Sequence, residues 1–239
     1  MTIGPQLIFL PEAGSTNAVM RGLAQNGAPH GTAVVADSQT EGRGRAGRTF
    51  FSPPGGLYMS VALRKERLPH ELSAATLRAA VAACEAIERV CNKSPSVKWV
   101  NDIMLDGKKI GGILAESAGS YVILGVGINL CAGKADFPDE IRETAGSLYG
   151  CAPPPDVRDR LATEIVSLTL AQELEQNAEI IAKYRKRLPM LGRRISVRQG
   201  SRIFFAEALD VKDDGRLEVA IEDGQIELLD YGDVTVRTL

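Results

Sequence analysis

Arginine and glycine alternate in one short stretch, Gly42-Arg43-Gly44-Arg45-Ala46-Gly47-Arg48. Glycine lets a backbone close on an anion, and a guanidinium offers a planar fork of donors that matches carboxylate or phosphate. Similar tracts occur in solvated basic loops and in disordered RNA-binding segments. Here the tract is short, lies between two strand-like segments and belongs to a chain of net charge -2, which favours an anion-binding loop. A second cationic group is Lys98-Trp99-Val100-Asn101-Asp102, followed by Lys108-Lys109-Ile110-Gly111-Gly112. A lysine on a hairpin strand beside paired glycines can point into a site while the backbone stays close to a ligand. Taken singly, each residue has a plainer reading: Trp99 as core packing, Asp102 as a cap or surface ion pair, the lysines as solvated. A third segment, Gly125-Val126-Gly127-Ile128-Asn129, ends an apolar run on an amide. Its glycines serve equally well to let strands pack closely.

These groups need elements to hold them. Ser15-Thr16-Asn17 before AVMRGLA reads as a helix cap and first turns. GTAVVADSQT reads as a strand whose carboxyl end is Gln39, EGRGRAGRTFFSPPGG as a loop, and LYMSVALR as a strand with partial alternation. Helical spacing of apolar residues runs from Leu72 to Val90. VKWVNDIMLDGKKIGGILAES reads as strand, Asp106-Gly107 type I′ turn, strand. SYVILGVGINL is apolar enough for a central strand. PPPDVRDRLATEIVSLTLAQELEQ opens on prolines and an Asp cap and continues as an amphipathic helix, with a second helix over Ala178 to Leu188. From Gly192 onward, short strands alternate with Gln199-Gly200, Asp214-Gly215 and Asp223-Gly224, the text of a small antiparallel barrel. The boundary falls near Pro189 to Gly192.

The 239 residues allow one sizeable core and a small appended unit. A sequence pI of about 5.8 gives no footprint for general nucleic-acid binding. No apolar run approaches the ~18 residues of a membrane span, and MTIGPQLIFL does not have the form of a secretory signal, so a cytoplasmic location is expected. Cys84, Cys91, Cys131 and Cys151 are scattered and read as reduced thiols, Cys84 and Cys91 both on the core side of one helix. With His30 and His70 the only histidines, a structural zinc site is not expected.

In this order, the segments resemble the biotin protein ligase family, over nearly the whole chain. The family pattern is matched at Ser15-Thr16-Asn17, at Gln39-Thr40-Glu41-Gly42-Arg43-Gly44-Arg45-Ala46-Gly47-Arg48, at Lys98-Trp99-Val100-Asn101-Asp102, at Lys109-Ile110-Gly111-Gly112-Ile113-Leu114 and at Gly125-Val126-Gly127-Ile128-Asn129. Val100 replaces the family's usual proline, and Phe50 stands where some members have tryptophan. The resemblance implies an α+β fold: a mixed β-sheet with packed helices, like the class II synthetase-type catalytic domain, over residues 1–190. A C-terminal SH3-like barrel over 191–239 follows it. It also implies a reaction in which biotin's carboxylate attacks the α-phosphate of ATP, pyrophosphate leaves, and a carrier lysine attacks the mixed anhydride.

The resemblance makes Lys109, Arg45 and Asp102 the catalytic set. It gives biotin to Ser15, Thr16, Asn17 and Gln39, with Gly42, Arg43, Lys109, Gly112 and Leu114. It gives ATP and the adenylate to Arg43, Arg45, Arg48 and Phe50, with Lys98, Asn101, Asp102, Lys109 and Asn129. Bringing a carboxylate to a triphosphate demands fixed cations, since two like unit charges ~4 Å apart repel by about 4 kcal/mol at an effective dielectric of 20. Mg2+ would accompany ATP, near Asp102, its position unassigned. The stretch Cys131 to Ser147 is expected to hold the nucleotide loop, with Phe137 a stacking candidate. The expected partner is the biotin carboxyl carrier protein domain of a biotin-dependent carboxylase. A homodimer is compatible with the resemblance. DNA is not an expected partner, because fourteen residues before Ser15 are too few for a helix-turn-helix. Lipoate ligases share the chemistry but differ in the arginine-glycine and Lys98–Asp102 motifs. An RNA-binding role for the loop leaves Lys109 and its glycines without a purpose.

Overall fold

The apolar runs form the strands of one large sheet: β1 (Leu7–Leu10), β2 (Ala33–Ala36), β3 (Leu57–Arg64), β4 (Ser96–Lys98), β5 (Asp102–Leu105), β6 (Lys108–Ala118) and β7 (Tyr121–Ile128). The computed structural model describes residues 6–68, 72–150, 152–222, 224–230 and 234–238; His70, Cys151 and Asp223 lie outside them. The strand order is β1-β2-β3-β7-β6-β5-β4, with β1 and β2 parallel and every other pair antiparallel, so the sheet is mixed. β7 is the middle strand, as its apolar text suggests. Leu7–Leu10 is too short a run to mark a strand by itself, and it forms only through pairing with β2.

Both faces of the sheet are covered, which explains why β3 reads as almost continuously apolar. Side chains alternate between the faces. Val34, Ala62 and Ile123 meet Met20 and Ala24 of helix α1 (Thr16–Gln25). Val35, Val61, Leu124 and Val126 meet the opposite layer, where the alanine-rich α2 (Leu72–Cys91) packs beside α3 (Val157–Ala171) and α4 (Asn177–Arg185). Alanine is the best helix former, and its small side chain lets α2 lie close to the strands. Leu77 and Ile87 are its fully buried large residues, and truncating either to alanine would cost about 2–5 kcal/mol. Cys84 is in the core as expected, whereas Cys91 is only half-buried.

Several local expectations need correction. The stretch before the Asp106-Gly107 turn is two short antiparallel strands, β4 and β5, broken at Trp99–Asn101. The turn itself has positive φ at both central residues, as a type I′ turn requires. β2 ends at Ala36, three residues before Gln39. Ser15 and Asp156 occupy the N-cap positions of α1 and α3, but neither side chain caps; Asp156 takes a left-handed backbone instead. The partner that satisfies the start of α1 comes from elsewhere in the chain.

The C-terminal strands β8 (Arg194–Gln199), β9 (Arg202–Val211), β10 (Leu217–Ile221), β11 (Ile226–Leu229) and β12 (Val234–Thr238) form a second, antiparallel sheet in the order β11-β10-β9-β8-β12. Among the described residues β11 and β12 do not pair, so the small barrel is an open five-stranded sheet, bent by a register shift between Glu218 and Val219. Ile195, Val197, Leu217 and Val219 share one apolar core with Trp99, Tyr184 and Met190. Two buried hydrogen bonds reinforce the β4–β5 junction: Trp99 Nε1 donates to Gly215 O at 3.1 Å, and Tyr184 Oη donates to Val100 O at 2.8 Å. No helix of the described residues is long and apolar enough to cross a membrane.

Candidate active site

The arginine-glycine stretch is a small hairpin rather than a loose loop. Arg43 pairs with Thr49, Gly44 N donates to Arg48 O at 2.7 Å, and Phe50 N donates to Gly42 O at 2.9 Å. Its tip is a short 3-10 turn, with Ala46 and Gly47 both at positive φ. A Cβ on Gly42 would collide with Phe50 O and Ser52 Oγ, so Gly42 serves the hairpin's own closure.

That closure delivers Phe50 onto the sheet. A Cβ on Gly127 would lie 2.6 Å from Phe50 Cε1, and one on Gly112 3.3 Å from Phe50 Cε2. The glycines of β6 and β7 therefore make room for an aromatic ring. Gly125 does the same for Asn17, whose Oδ1 occupies the place a Cβ would take. Asn17 Oδ1 in turn lies 2.6 Å from Ser60 Oγ, and its Nδ2 donates to Glu116 Oε2 at 2.7 Å. Gln39 Oε1 accepts from Thr16 N at 2.9 Å and from Thr16 Oγ1 at 3.1 Å. This long-range amide caps α1, which explains why Ser15 does not. Gln39 Nε2 donates to Ser52 Oγ at 2.9 Å.

Beyond the Phe50 ring the site is cationic. Lys109 Nζ is 2.5 Å from Asp102 Oδ1 and 5.9 Å from the Phe50 ring centre. Arg45 Nη1 donates to Asn101 Oδ1 at 3.2 Å, while Asn101 Nδ2 donates to Ile113 O at 2.7 Å. The strand register sets this arrangement. Opposite β5, Ile103 pairs with Gly111 and Met104 with Lys109, leaving Ile110 as an extra residue. In a regular strand Lys109 and Gly112 would point to opposite faces; the bulge at Ile110 turns both, with Leu114, towards one cavity. Ile110 and Ile113 go to the core. Lys108 points away, its ammonium bonded to Glu143 O.

The cavity so enclosed measures about 450 Å3, within the range of small-molecule sites. It brings together Ser15, Thr16, Asn17 and Gln39; Arg43, Arg45, Arg48 and Phe50; Lys98, Asn101, Asp102 and Lys109; and Gly112 with Leu114. Gly42 and Asn129 are not on its wall. Asn129 is stitched to the neighbouring segment, donating from Nδ2 to Gly146 O at 2.9 Å. Phe137 is buried edge-on against Phe51, ring centres 6.2 Å apart, and is not a wall residue either. Sequence reasoning passed over Tyr58, Arg198 and Gly200; from the stretch Cys131 to Ser147, expected to hold the nucleotide loop, Ile141 is the residue on the wall. Burial holds the Tyr58 hydroxyl well above its ordinary pKa, and it donates to Pro53 O at 2.8 Å. Asp102 is the one carboxylate among the lining residues. The described residues contain no group of three or more His, Cys, Asp or Glu able to hold a metal ion by themselves.

A mixed sheet with helices on both faces, a cation-lined cavity on one of them and a small antiparallel C-terminal sheet together define the class. Residues 11–130 match the biotin/lipoate A/B protein ligase family, and residues 190–237 match the biotin protein ligase C-terminal domain. The chain belongs to the biotin/lipoate A/B protein ligase family. It is 31% identical to the biotin–[acetyl-CoA-carboxylase] ligase of Mycobacterium tuberculosis, over 96% of this chain and 88% of that protein. It is 42% identical to the bifunctional ligase/repressor of Bacillus spizizenii, over 61% of this chain. The aligned part is 47% of that relative and 48% of its Bacillus subtilis counterpart, so the chain spans about half the length of these two curated relatives. The structure of the biotin protein ligase from Aquifex aeolicus in complex with biotin and ATP superposes with a TM-score of 0.83, at 28% identity, covering 98% of this chain and 99% of that one.

Proposed function

We propose that the protein is an ATP-dependent biotin protein ligase that makes biotinyl-adenylate and passes biotin to a lysine of a carrier domain. The observation that carries this reading is the composition of one cavity wall: an amide-and-hydroxyl set at Ser15, Thr16 and Gln39, an aromatic floor at Phe50, and the cations around Lys109. Biotin's ring system is apolar with a urea that both donates and accepts, which suits the first two features. Its carboxylate and the phosphates of ATP suit the third.

In this reading Lys109 neutralises charge developing as biotin's carboxylate oxygen attacks the α-phosphorus and pyrophosphate departs. Arg43, Arg45 and Arg48 hold the anions together, and the hairpin that carries them covers the adenylate against water. A carrier lysine's neutral amine then attacks the acyl carbon, giving the amide and releasing AMP. Asp102 aligns Lys109. One carboxylate is a sparse donor set, so a Mg2+ arriving with ATP would be held chiefly by the phosphates, and Asp102, through the oxygen not bonded to Lys109, is the residue that would hold it. The metal would offset phosphate charge. We place the catalytic unit over 1–190 and the C-terminal unit over 191–239, a division supported by the second family match beginning at residue 190.

The test is pyrophosphate exchange with ATP and Mg2+, followed by transfer of labelled biotin to a biotin carboxyl carrier domain. Exchange should require biotin and ignore lipoate and octanoate. Equal or faster exchange with lipoate would overturn the assignment.

A further inference from the structure

Glu116 stands on β6 two residues beyond Leu114 and is not on the wall of the active-site cavity, yet an unbroken line of hydrogen bonds joins it to Thr16, which is. Arg21 Nη2 holds Glu116 Oε1 at 3.0 Å. Asn17 Nδ2 donates to Glu116 Oε2 at 2.7 Å and reaches Leu114 O at 3.5 Å. Asn17 Oδ1 lies 2.6 Å from Ser60 Oγ, which lies 2.8 Å from Thr16 Oγ1. Thr16, Asn17 and Ser60 are all buried, Ser60 completely, so their polar atoms must be satisfied within the line.

Groups that act in one sense only stand at both ends, and they fix the direction of every bond between them. A carboxylate and a peptide carbonyl only accept, so Asn17 turns its amide nitrogen to Glu116 and Leu114 and its oxygen to Ser60. Ser60 has a single proton, which goes to Asn17 Oδ1, and its lone pairs are left for Thr16. From the other end, Phe50 O takes the Ser52 proton at 2.8 Å, so Ser52 Oγ accepts from Gln39 Nε2 and Gln39 Oε1 is turned to Thr16. The Thr16 hydroxyl thus has two acceptors inside the protein, Ser60 Oγ at 2.8 Å and Gln39 Oε1 at 3.1 Å, and its proton is spent there. What Thr16 Oγ1 offers the cavity is a lone pair.

We propose that Glu116 and Ser60 are positioning residues that commit Thr16 Oγ1 to accepting, so that the site demands an N–H donor from the ligand group it meets there. The inference rests on the ligase reading given above, in which that group is one N–H of biotin's urea, and adds to it two residues that lie off the cavity wall. Without the carboxylate at position 116 the Asn17 amide could turn over, its nitrogen facing Ser60. Ser60 would then donate to Thr16, whose proton would be as free to point into the cavity as to Gln39. A ligand with oxygen in place of that N–H would meet a lone pair in the wild type and a donor in such a variant.

Calorimetric titration compares biotin with its two cyclic carbamate analogues, each with one ureido N–H replaced by oxygen. The wild type should bind at least one analogue about 30-fold or more weakly than biotin. Glu116→Gln, whose carboxamide can present its nitrogen to Asn17, should shrink that gap to about fivefold or less. Ser60→Ala cuts the line, so Glu116→Gln added to it should leave the gap where Ser60→Ala alone sets it. No gap in the wild type overturns the proposal. So does equal weakening of biotin and analogue in Glu116→Gln, which would make Glu116 a structural support only, and so does a gap that falls as far without Ser60 as with it. Neutron diffraction from the deuterated, ligand-free wild type reads the same bonds independently of the ligase reading. Deuterons should lie between Ser60 and Asn17, and between Thr16 and Ser60 or Gln39. A Thr16 deuteron directed into the cavity refutes the proposal on its own. A wild type that binds no biotin, with the deuterons as expected, sinks the ligase reading and leaves the relay standing.

Discussion

Lys109 and Asp102 meet diagonally across the β5–β6 ladder, where the register pairs Asp102 with Gly112 and Lys109 with Met104, and their Nζ and Oδ1 are 2.5 Å apart. The ammonium lies over the Phe50 ring, 5.9 Å from its centre. Since Lys108, one residue earlier, is bonded to Glu143 O outside the site, the two lysines should separate cleanly in function. Lys109→Ala should slow adenylate formation by about 10²–10³, the usual loss of a donor aimed at developing negative charge. Lys109→Arg should recover only part, since a fork is larger than an ammonium. Lys108→Ala should change little. Rapid-quench measurement of adenylate formation checks all three; a crippled Lys108→Ala would mean that the bulge at Ile110 is misplaced.

The Phe50 floor depends on Gly127. Gly127→Ala would press a methyl group against the ring at 2.6 Å and should destabilise the fold by about 1–3 kcal/mol while weakening biotin binding. Phe50→Leu introduced into the same chain should recover much of that stability. Urea unfolding of the two single variants and the double variant gives the coupling. Strict additivity would show that the ring does not occupy the space Gly127 leaves.

Arg45 anchors the arginine hairpin to β5's neighbour Asn101. Arg45→Gly should loosen the cover and release biotinyl-adenylate, so that lysines of bystander proteins become labelled in addition to the carrier. Mass spectrometry of a mixed protein pool reads the selectivity. Retained carrier selectivity, with adenylate still forming, would contradict the covering role.

Burial pushes the Cys84 thiol from 9.0 up to about 12. The folded state therefore holds this proton more tightly than the unfolded chain, and the associated stability is complete below about pH 9 and lost as pH rises towards 12. Burial acts on the Tyr184 hydroxyl in the same direction. At pH near 8, iodoacetamide should label Cys84 in the native protein at least about 100-fold more slowly than in the urea-unfolded chain. Rapid native labelling would place this thiol at a reactive surface.

What the sequence revealed, and what it hid, divide along physical lines. Helix α2, strand β7 and the Asp106-Gly107 turn were legible because periodicity and turn chemistry act within a few residues. The Lys109 register was legible from motif order, but its cause was not: a bulge is a mismatch between two strands and leaves no mark in either alone. The roles of Gly125 and Gly127 were hidden for a similar reason. Each is small to admit a side chain, Asn17 or Phe50, from another part of the chain. Asn129 looked like a ligand contact because a polar amide ended an apolar strand, yet its amide belongs to Gly146. Arg198 had no local signal whatever, being one arginine among several in a charged hairpin.

The capping of α1 by Gln39 has a bearing on re-engineering. The carboxamide that caps the N-terminus of α1 is also on the wall of the cavity. A designer who replaces Gln39 to admit a different ring system also uncaps that helix and frees Thr16, so altered selectivity and a frayed N-terminal turn should arrive together. Variants selected for a new vitamin analogue should therefore acquire a compensating change near Ser52, in the segment before β3, or Ser60 of β3, the hydroxyls bonded to Gln39 and Thr16.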